Sequence, residues 1–277
     1  MQGAKKSLAP GLAMYQVRPP LLGAEMDPFL MIDHFFMAEP FFPPHPHAGF
    51  SAVTYMFEDS EGSFINRDSL GDRSIIGPGD LHWTQAARGV HHEEAPQERG
   101  RVCHGAQIFV NLAAKHKHEP PRAFHVTAAQ MPVIADGTGT RIKVVAGSYD
   151  GHASPLDQLL TPVTMLDVQL KAGARFEHDL PPDWNVFALV VRGEGRFGAE
   201  DSAVAVSEGG AVAFADDGTK VIAEAGASGL YLLLCAAAPL NEPVFAQGPF
   251  VASNAEQMRE IVAHYRAGGM GHLEASF

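Results

Sequence analysis

HPHAGFSAVTYMFEDSEGS, residues 45–63, decides how the chain is read. Val, Thr, Tyr and Phe crowd the run from Phe50 to Phe57, as in a β-strand, and Glu58-Asp59-Ser60-Glu61-Gly62-Ser63 closes it as a turn. At its head His45 and His47 flank Pro46, whose ring fixes an extended backbone, so both imidazoles point to one face. Downstream, His92-Glu93-Glu94 repeats the spacing of two with His92 and Glu94. Two such strands side by side bring His45, His47, His92 and Glu94 to one point, where three imidazoles and a carboxylate can hold a divalent transition metal. His91 and Glu93 alternate with those ligands and are expected to face outward into solvent.

Outward from this stretch the chain reads as strands cut by turns. Ser74-Ile75-Ile76 runs into the turn Gly77-Pro78-Gly79-Asp80, Leu81 to Thr84 is extended again, and Gln107 to Leu112 makes an apolar strand. That rhythm predicts an antiparallel barrel or sandwich. Ala113 to Arg122, ending near Pro120-Pro121, reads as the exit from this domain, and the His116-Lys117-His118 triplet within it as solvated surface. Strand signals resume at Arg141–Ala146, Val163–Leu170, Val186–Val191, Ala211–Phe214 and Gly229–Cys235, giving a second β domain. Val191-Arg192-Gly193-Glu194-Gly195 and Glu208-Gly209-Gly210 sit like turns between them. Near the C-terminus, Ser253 with Glu256 predicts a capping box, with Met258, Ile261, Val262 and Tyr265 at helical spacing and Gly268-Gly269 as the stop.

Composition excludes several functions. The net charge of −12, from 20 Lys+Arg against 32 Asp+Glu, and the lack of any basic stripe argue against direct nucleic-acid binding. Cys103 and Cys235 are far apart with no CxxC, which excludes a disulfide framework and a thiolate zinc site and points to a reducing compartment. After Lys5 and Lys6 the apolar stretch is broken by Pro10, Gly11 and Pro19, so neither a signal peptide nor a membrane span is expected, and the cytoplasm is the predicted location.

Several ordered motifs together resemble the pirin family of bicupins: Pro28-Phe29-Leu30-Met31-Ile32-Asp33, His45-Pro46-His47-Ala48-Gly49-Phe50, Gly77-Pro78-Gly79-Asp80, Arg88-Gly89-Val90-His91-His92-Glu93-Glu94, Val110-Asn111-Leu112 and Gly248-Pro249-Phe250-Val251. The resemblance runs from Pro28 to Gly269. It implies an all-β fold of two cupin barrels (double-stranded β-helix, or jelly-roll) packed together, with a C-terminal α-helix. It further implies a metal-binding cupin domain over residues 1–125, a cupin domain without a metal site over 126–240, and a tail with the helix over 241–277. Placing Arg88-Gly89 on the family pattern again selects His92 and Glu94 as ligands beside His45 and His47. The chain departs from that pattern at Ser51, where pirins commonly have Glu, at His34 in place of Glu, at Ala48 in place of Arg and at His82 in place of Gln. These changes bear on the pocket and its substrate more than on the metal.

Three nitrogens and one oxygen suit Fe(II), Mn(II), Ni(II), Cu(II) or Zn(II), and the resemblance implies iron. Some pirins are similar in activity to quercetin 2,3-dioxygenases, which implies a phenolic substrate and dioxygen as partners, with Glu94 as both ligand and proton acceptor and Trp83 and Phe50 as candidate aromatic walls. Other pirins resemble metal-dependent regulators of a transcription factor or metabolic enzyme, which implies a protein partner instead. Asp33 or Gln107 is a candidate for orienting a ligand imidazole. His82 and Arg88 are weaker site candidates, and Cys103 reads as a small buried residue.

Overall fold

The computed structural model describes residues 5–18, 26–214 and 218–277; Pro19, one of the breaks in the N-terminal apolar stretch, lies outside the described residues. Eleven strands build the first domain: β1 (Lys6–Ala9), β2 (Leu12–Val17), β3 (Phe29–Met37), β4 (Phe42–His47), β5 (Phe50–Met56), β6 (Phe64–Asp68), β7 (Ile75–Ile76), β8 (Leu81–Gln85), β9 (Val90–Pro96), β10 (Cys103–Asn111) and β11 (Arg122–Val126). One sheet has the order β1-β2-β3-β10-β5-β8-β11 and the other the order β4-β9-β6-β7. Residues of both sheets line one cavity between them, the arrangement of a jelly-roll barrel. β11 pairs with β8, so the first sheet keeps the chain as far as Val126, past the stretch read as the domain exit.

Side-chain alternation divides the larger sheet between two cores. Ile32, Val53, Tyr55, Trp83 and Ile108 point away from the small sheet into a cluster shared with Val145, Phe187, Leu189 and Leu233 of the second domain. Phe29 meets Phe187 edge-on with ring centroids 5.1 Å apart. Each of these side chains contributes about 1.5–3 kcal/mol by leaving water, so the two domains share one core. At its edge the phenols of Tyr55 and Tyr231 both donate to Asp167, at 2.6 and 2.5 Å, joining the domains through a buried carboxyl whose pKa burial raises. Residues on the opposite face, Asp33, Phe35, Gln107 and Phe109, line the cavity.

The second domain holds β12 (Val133–Ala135), β13 (Thr140–Ala146), the short hairpin β14 (Ser148–Tyr149) and β15 (His152–Ala153), β16 (Thr164–Leu170), β17 (Arg175–Asp179), β18 (Asn185–Phe197), β19 (Val204–Ser207), β20 (Ala211–Phe214) and β21 (Lys220–Ala237). The segment Val191 to Gly195 is not a turn, as expected from its glycines, but the middle of β18. A side chain at Gly193 would put its Cβ 2.2 Å from the Gly229 carbonyl oxygen, and φ there is +79°. Glycine therefore lets two long strands bend together without separating, so that β18 also pairs with β19 and β20, and β21 with β16 and β17.

A last segment returns to the first domain. β22 (Phe245–Gln247) and β23 (Phe250–Ala252) precede α1 (Ala255–Arg266), whose Met258 and Ile261 pack with Ala48 and Phe250. The helix cap falls one residue later than expected: Asn254 accepts from the Gln257 N–H, and the Gln257 side chain accepts from the Ser253 N–H. Asn254 wins because its carbonyl is placed for N3, whereas Ser253 is still in the strand-like approach. Among the described residues no helix is long and apolar enough to cross a membrane.

Candidate metal centre

β4 and β9 lie antiparallel with His45 directly opposite His92, and a bulge between Phe42 and His45 brings Phe42 opposite Glu94. The ring centroids of His45, His47 and His92 are 4.7 to 4.8 Å from one another. One donor nitrogen from each lies within 4.8 Å of the other two. His45 donates from Nδ1 to the Pro43 carbonyl at 2.9 Å, which leaves Nε2 with a lone pair. That nitrogen stands 3.1 Å from His47 Nε2, close to the separation of about 3.0–3.4 Å needed by two nitrogens each about 2.1 Å from one ion.

Burial lowers the pKa of all three imidazoles, bringing His47 down to about 3 and His92 well below its usual value, with the neighbouring rings adding to the effect at both. Neutral imidazoles are the form that ligates a metal. Both ring nitrogens of His92 are buried without a hydrogen-bond partner. Unpaired buried polar atoms are costly, and a cation at the centre of the triad is a partner that could remove part of that cost. On this donor set the residues fit a divalent transition metal.

Three of the four expected ligands are thus grouped. Glu94 lines the same cavity but lies outside the triad, its Oε1 accepting from Thr54 Oγ1 at 2.5 Å. Burial raises its pKa to about 7. Thr54 also sits 2.9 Å from Gln107 Oε1, and its single proton can serve one acceptor at a time. Thr54 shares a strand face with Phe50, so its place beside Glu94 was available from the alternation of β5.

The reverse face of β9 is not open to solvent, as the alternation argument expected. Glu93 is 1% exposed, paired with Arg67 at 2.7 Å, and accepts from Ser276 N and Oγ. His91 stacks near Tyr265 at 5.8 Å between centroids. The C-terminal residues cover this face, and strand periodicity carries no information on such a long-range cover. Lys117 likewise departs from the solvated-surface expectation: it is 1% exposed and donates from Nζ to the Gly49 carbonyl and Asn111 Oδ1, both at 2.6 Å. Its long side chain reaches inward to the Gly49 carbonyl, between β4 and β5, and to the Asn111 side chain at the end of β10.

The remaining candidates are dispersed. Neither expected aromatic wall lines the cavity: Trp83 is buried in the core between the domains, and Phe50 packs 5.0 Å from the His47 ring without reaching the cavity. Asp33 lines the cavity but pairs with Arg18 at 2.7 Å, and Gln107 bonds Thr54; neither is hydrogen-bonded to a ligand imidazole. His34 bonds His104 at 2.7 Å, and its rings pack with Tyr15, Phe36 and Phe57. His82 is buried 3.9 Å from Asp72. The Cys103 thiol is buried, and its pKa is pushed up to about 12 by that burial.

Comparison with known proteins agrees with the architecture. Residues 13–110 match the family profile described as Pirin, and residues 165–271 match the Pirin C-terminal cupin domain. The chain belongs to the pirin family. A pirin-like protein of Caulobacter vibrioides is 36% identical over 249 residues, spanning 87% of each chain. The crystal structure of a quercetin 2,3-dioxygenase from Acinetobacter baumannii superposes with a TM-score of 0.84 at 26% identity, covering 98% of this chain and 96% of that one. A bacterial pirin from Escherichia coli, solved in complex with nickel(II), shares the fold at a TM-score of 0.65 and 18% identity over 86% of this chain and 96% of its own. As a pirin, this chain has two cupin domains, and the imidazole triad lies in the N-terminal one.

Proposed function

We propose that this pirin is a metal-dependent dioxygenase acting on an ionisable phenolic, of the flavonol class or a smaller relative, with iron(II) as its resident metal. The observation that carries the reading is the triad of His45, His47 and His92 at one side of an apolar cavity whose lining also includes the buried carboxyl of Glu94. The name of the structurally similar Acinetobacter quercetin 2,3-dioxygenase supports the reaction class. His45, His47 and His92 would hold the metal, with Glu94 as the fourth ligand. A divalent ion there supplies Lewis acidity toward a phenolic hydroxyl and room for both substrate and dioxygen.

Glu94 takes the phenolic proton. A base works best when its pKa lies near the operating pH; burial raises this carboxyl, and a cation beside it would draw it back down. Thr54 follows the change in charge. While Glu94 is ionised the hydroxyl donates to it; once Glu94 is protonated, Thr54 accepts that proton in a hydrogen bond and donates its own to Gln107 Oε1. Both states are satisfied without water entering the cavity. Phe109, packed 5.2 Å from the His47 ring, and Phe35 keep the aromatic substrate in an apolar setting.

The test is to load tag-free protein with iron(II) without oxygen, add quercetin and smaller phenolics, admit oxygen and follow substrate absorbance and oxygen uptake. Metal-dependent consumption of at least one phenolic, lost in His47→Ala, is the expected result. No consumption of any of them by fully loaded protein would contradict the proposal.

A further inference from the structure

We infer that the cavity beside the imidazole triad is a one-ring site, taking a monocyclic phenolic with two adjacent oxygens and excluding a flavonol. This rests on the reading of the site as a metal-dependent dioxygenase centre and narrows its substrate. The cavity has a volume of about 170 Å³. A cavity of roughly 150 Å³ is the size that holds one benzene ring, and sites for drug-sized molecules run from roughly 300 Å³ upward.

The shape of a flavonol makes the limit sharper. Its reactive hydroxyl is on the central heterocycle, with a fused benzo ring on one side and a phenyl substituent on the other. To bring that hydroxyl to the histidines, both outer rings must enter the cavity. A monocyclic phenolic carries its hydroxyls on an outer edge and reaches the same point with a single ring.

The inner walls have little room to yield. Met14, Phe35, Met37 and Phe64 are each at most 5% exposed and form one packed cluster, with the Phe35 and Phe64 rings stacked at 5.1 Å. Interiors packed in this way resist the insertion of added volume. The polar lining is small as well. Apart from the imidazoles it consists of Glu94, Gln107 and Asp33, the last already engaged by Arg18. That set serves one pair of oxygens and leaves the several hydroxyls of a polyhydroxylated flavonol unmatched. Met31, Phe42 and Phe109 are the apolar lining residues with some exposure, and Phe109 packs 5.2 Å from the His47 ring, which leaves Met31 and Phe42 as positions where truncation would widen the cavity without opening the packed cluster.

The test measures binding by calorimetry on protein loaded with zinc, which is redox-inert, after removal of free metal, with catechol and 3-hydroxyflavone, a flavonol that carries no catechol ring, as probes. Catechol is expected to bind at least tenfold more tightly than 3-hydroxyflavone. Met31→Ala/Phe42→Ala should shift the ratio of the two affinities at least tenfold toward the flavonol. Equal or tighter binding of 3-hydroxyflavone to the wild type, an unshifted ratio in the variant, or no binding of catechol, overturns the inference. Iron-loaded protein separates the two claims. Selective catechol binding without consumption of any phenolic leaves the size limit standing and removes the dioxygenase reading; tight binding and consumption of 3-hydroxyflavone do the reverse.

Discussion

Replacing Glu93 by Ala tests whether the buried reverse face of the ligand strand supports the fold. The Glu93 carboxylate is 1% exposed, pairs with Arg67 at 2.7 Å and accepts two hydrogen bonds from Ser276. Removing one member of a buried ion pair costs about 3–5 kcal/mol, because the other charge stays buried and uncompensated. The Arg67 side chain keeps 16% of its exposure, which places the cost at the low end, about 3 kcal/mol. Each kcal/mol moves the midpoint of a chain of this size by about 2–4 °C, so Glu93→Ala should melt about 6–12 °C below the wild type. Glu93→Gln, which keeps its volume and one acceptor, should lose about half as much. Metal-free protein should be compared by denaturant titration and calorimetry, so that changes in metal affinity do not enter. A Glu93→Ala protein within about 0.5 kcal/mol of wild type would refute the argument, since that is the range of an ordinary surface substitution.

Other outcomes follow from the same structure. Glu94→Gln preserves an acceptor for Thr54 but cannot take a proton, so the metal-loaded variant should lose about 10²- to 10⁴-fold in turnover of any phenolic substrate while retaining substrate binding; unchanged turnover in stopped-flow assays would remove Glu94 as the base. Acid should destabilise metal-free protein through His34 and His82, which burial holds at about 3 and about 4. Both are neutral in the fold and gain a proton on unfolding below about pH 6.5, so each should cost about 2 kcal/mol of stability at pH 5, while Glu94, held at about 7 in the fold, takes up its proton before the unfolded chain does and offsets about 2 kcal/mol of the total between pH 7.5 and 5. Denaturant midpoints that stay constant from pH 7.5 to 5 would contradict this. Gly49→Ala should destabilise by more than about 1 kcal/mol, the usual backbone cost, because φ is +87° and the new Cβ would lie 1.7 Å from the Val251 carbonyl oxygen. Its readout is earlier proteolysis of the segment after Pro239, and wild-type resistance would count against close docking of that segment.

The parts of the structure legible in the sequence are those set by local periodicity. Phe50 to Phe57 announces β5 through its β-branched and aromatic residues, and the spacing of two in His45-Pro46-His47 and His92-Glu93-Glu94 places three imidazoles together once β4 and β9 pair. The bends of β18 and β21 were hidden because glycine marks a turn and a strand bend alike; only the partner backbone at Gly229 distinguishes the two at Gly193. The burial of Glu93 and Lys117 was hidden for a different reason. Each depends on residues distant in sequence, Ser276 for the first and Gly49 for the second, and alternation assigns a face without saying what covers it. The same limit applies to Trp83, whose face of the sheet is apolar because a second domain packs there.

The central claim is that His45, His47 and His92 share one cation, and metal titration tests it most directly. Tag-free protein, stripped with chelator and titrated anaerobically with a divalent transition metal, should bind one ion per chain, with X-ray absorption showing three imidazole nitrogens around it. His47→Ala and His92→Ala should each abolish stoichiometric binding. Full retention of one ion per chain in either variant, or a coordination shell without imidazole, would contradict the account.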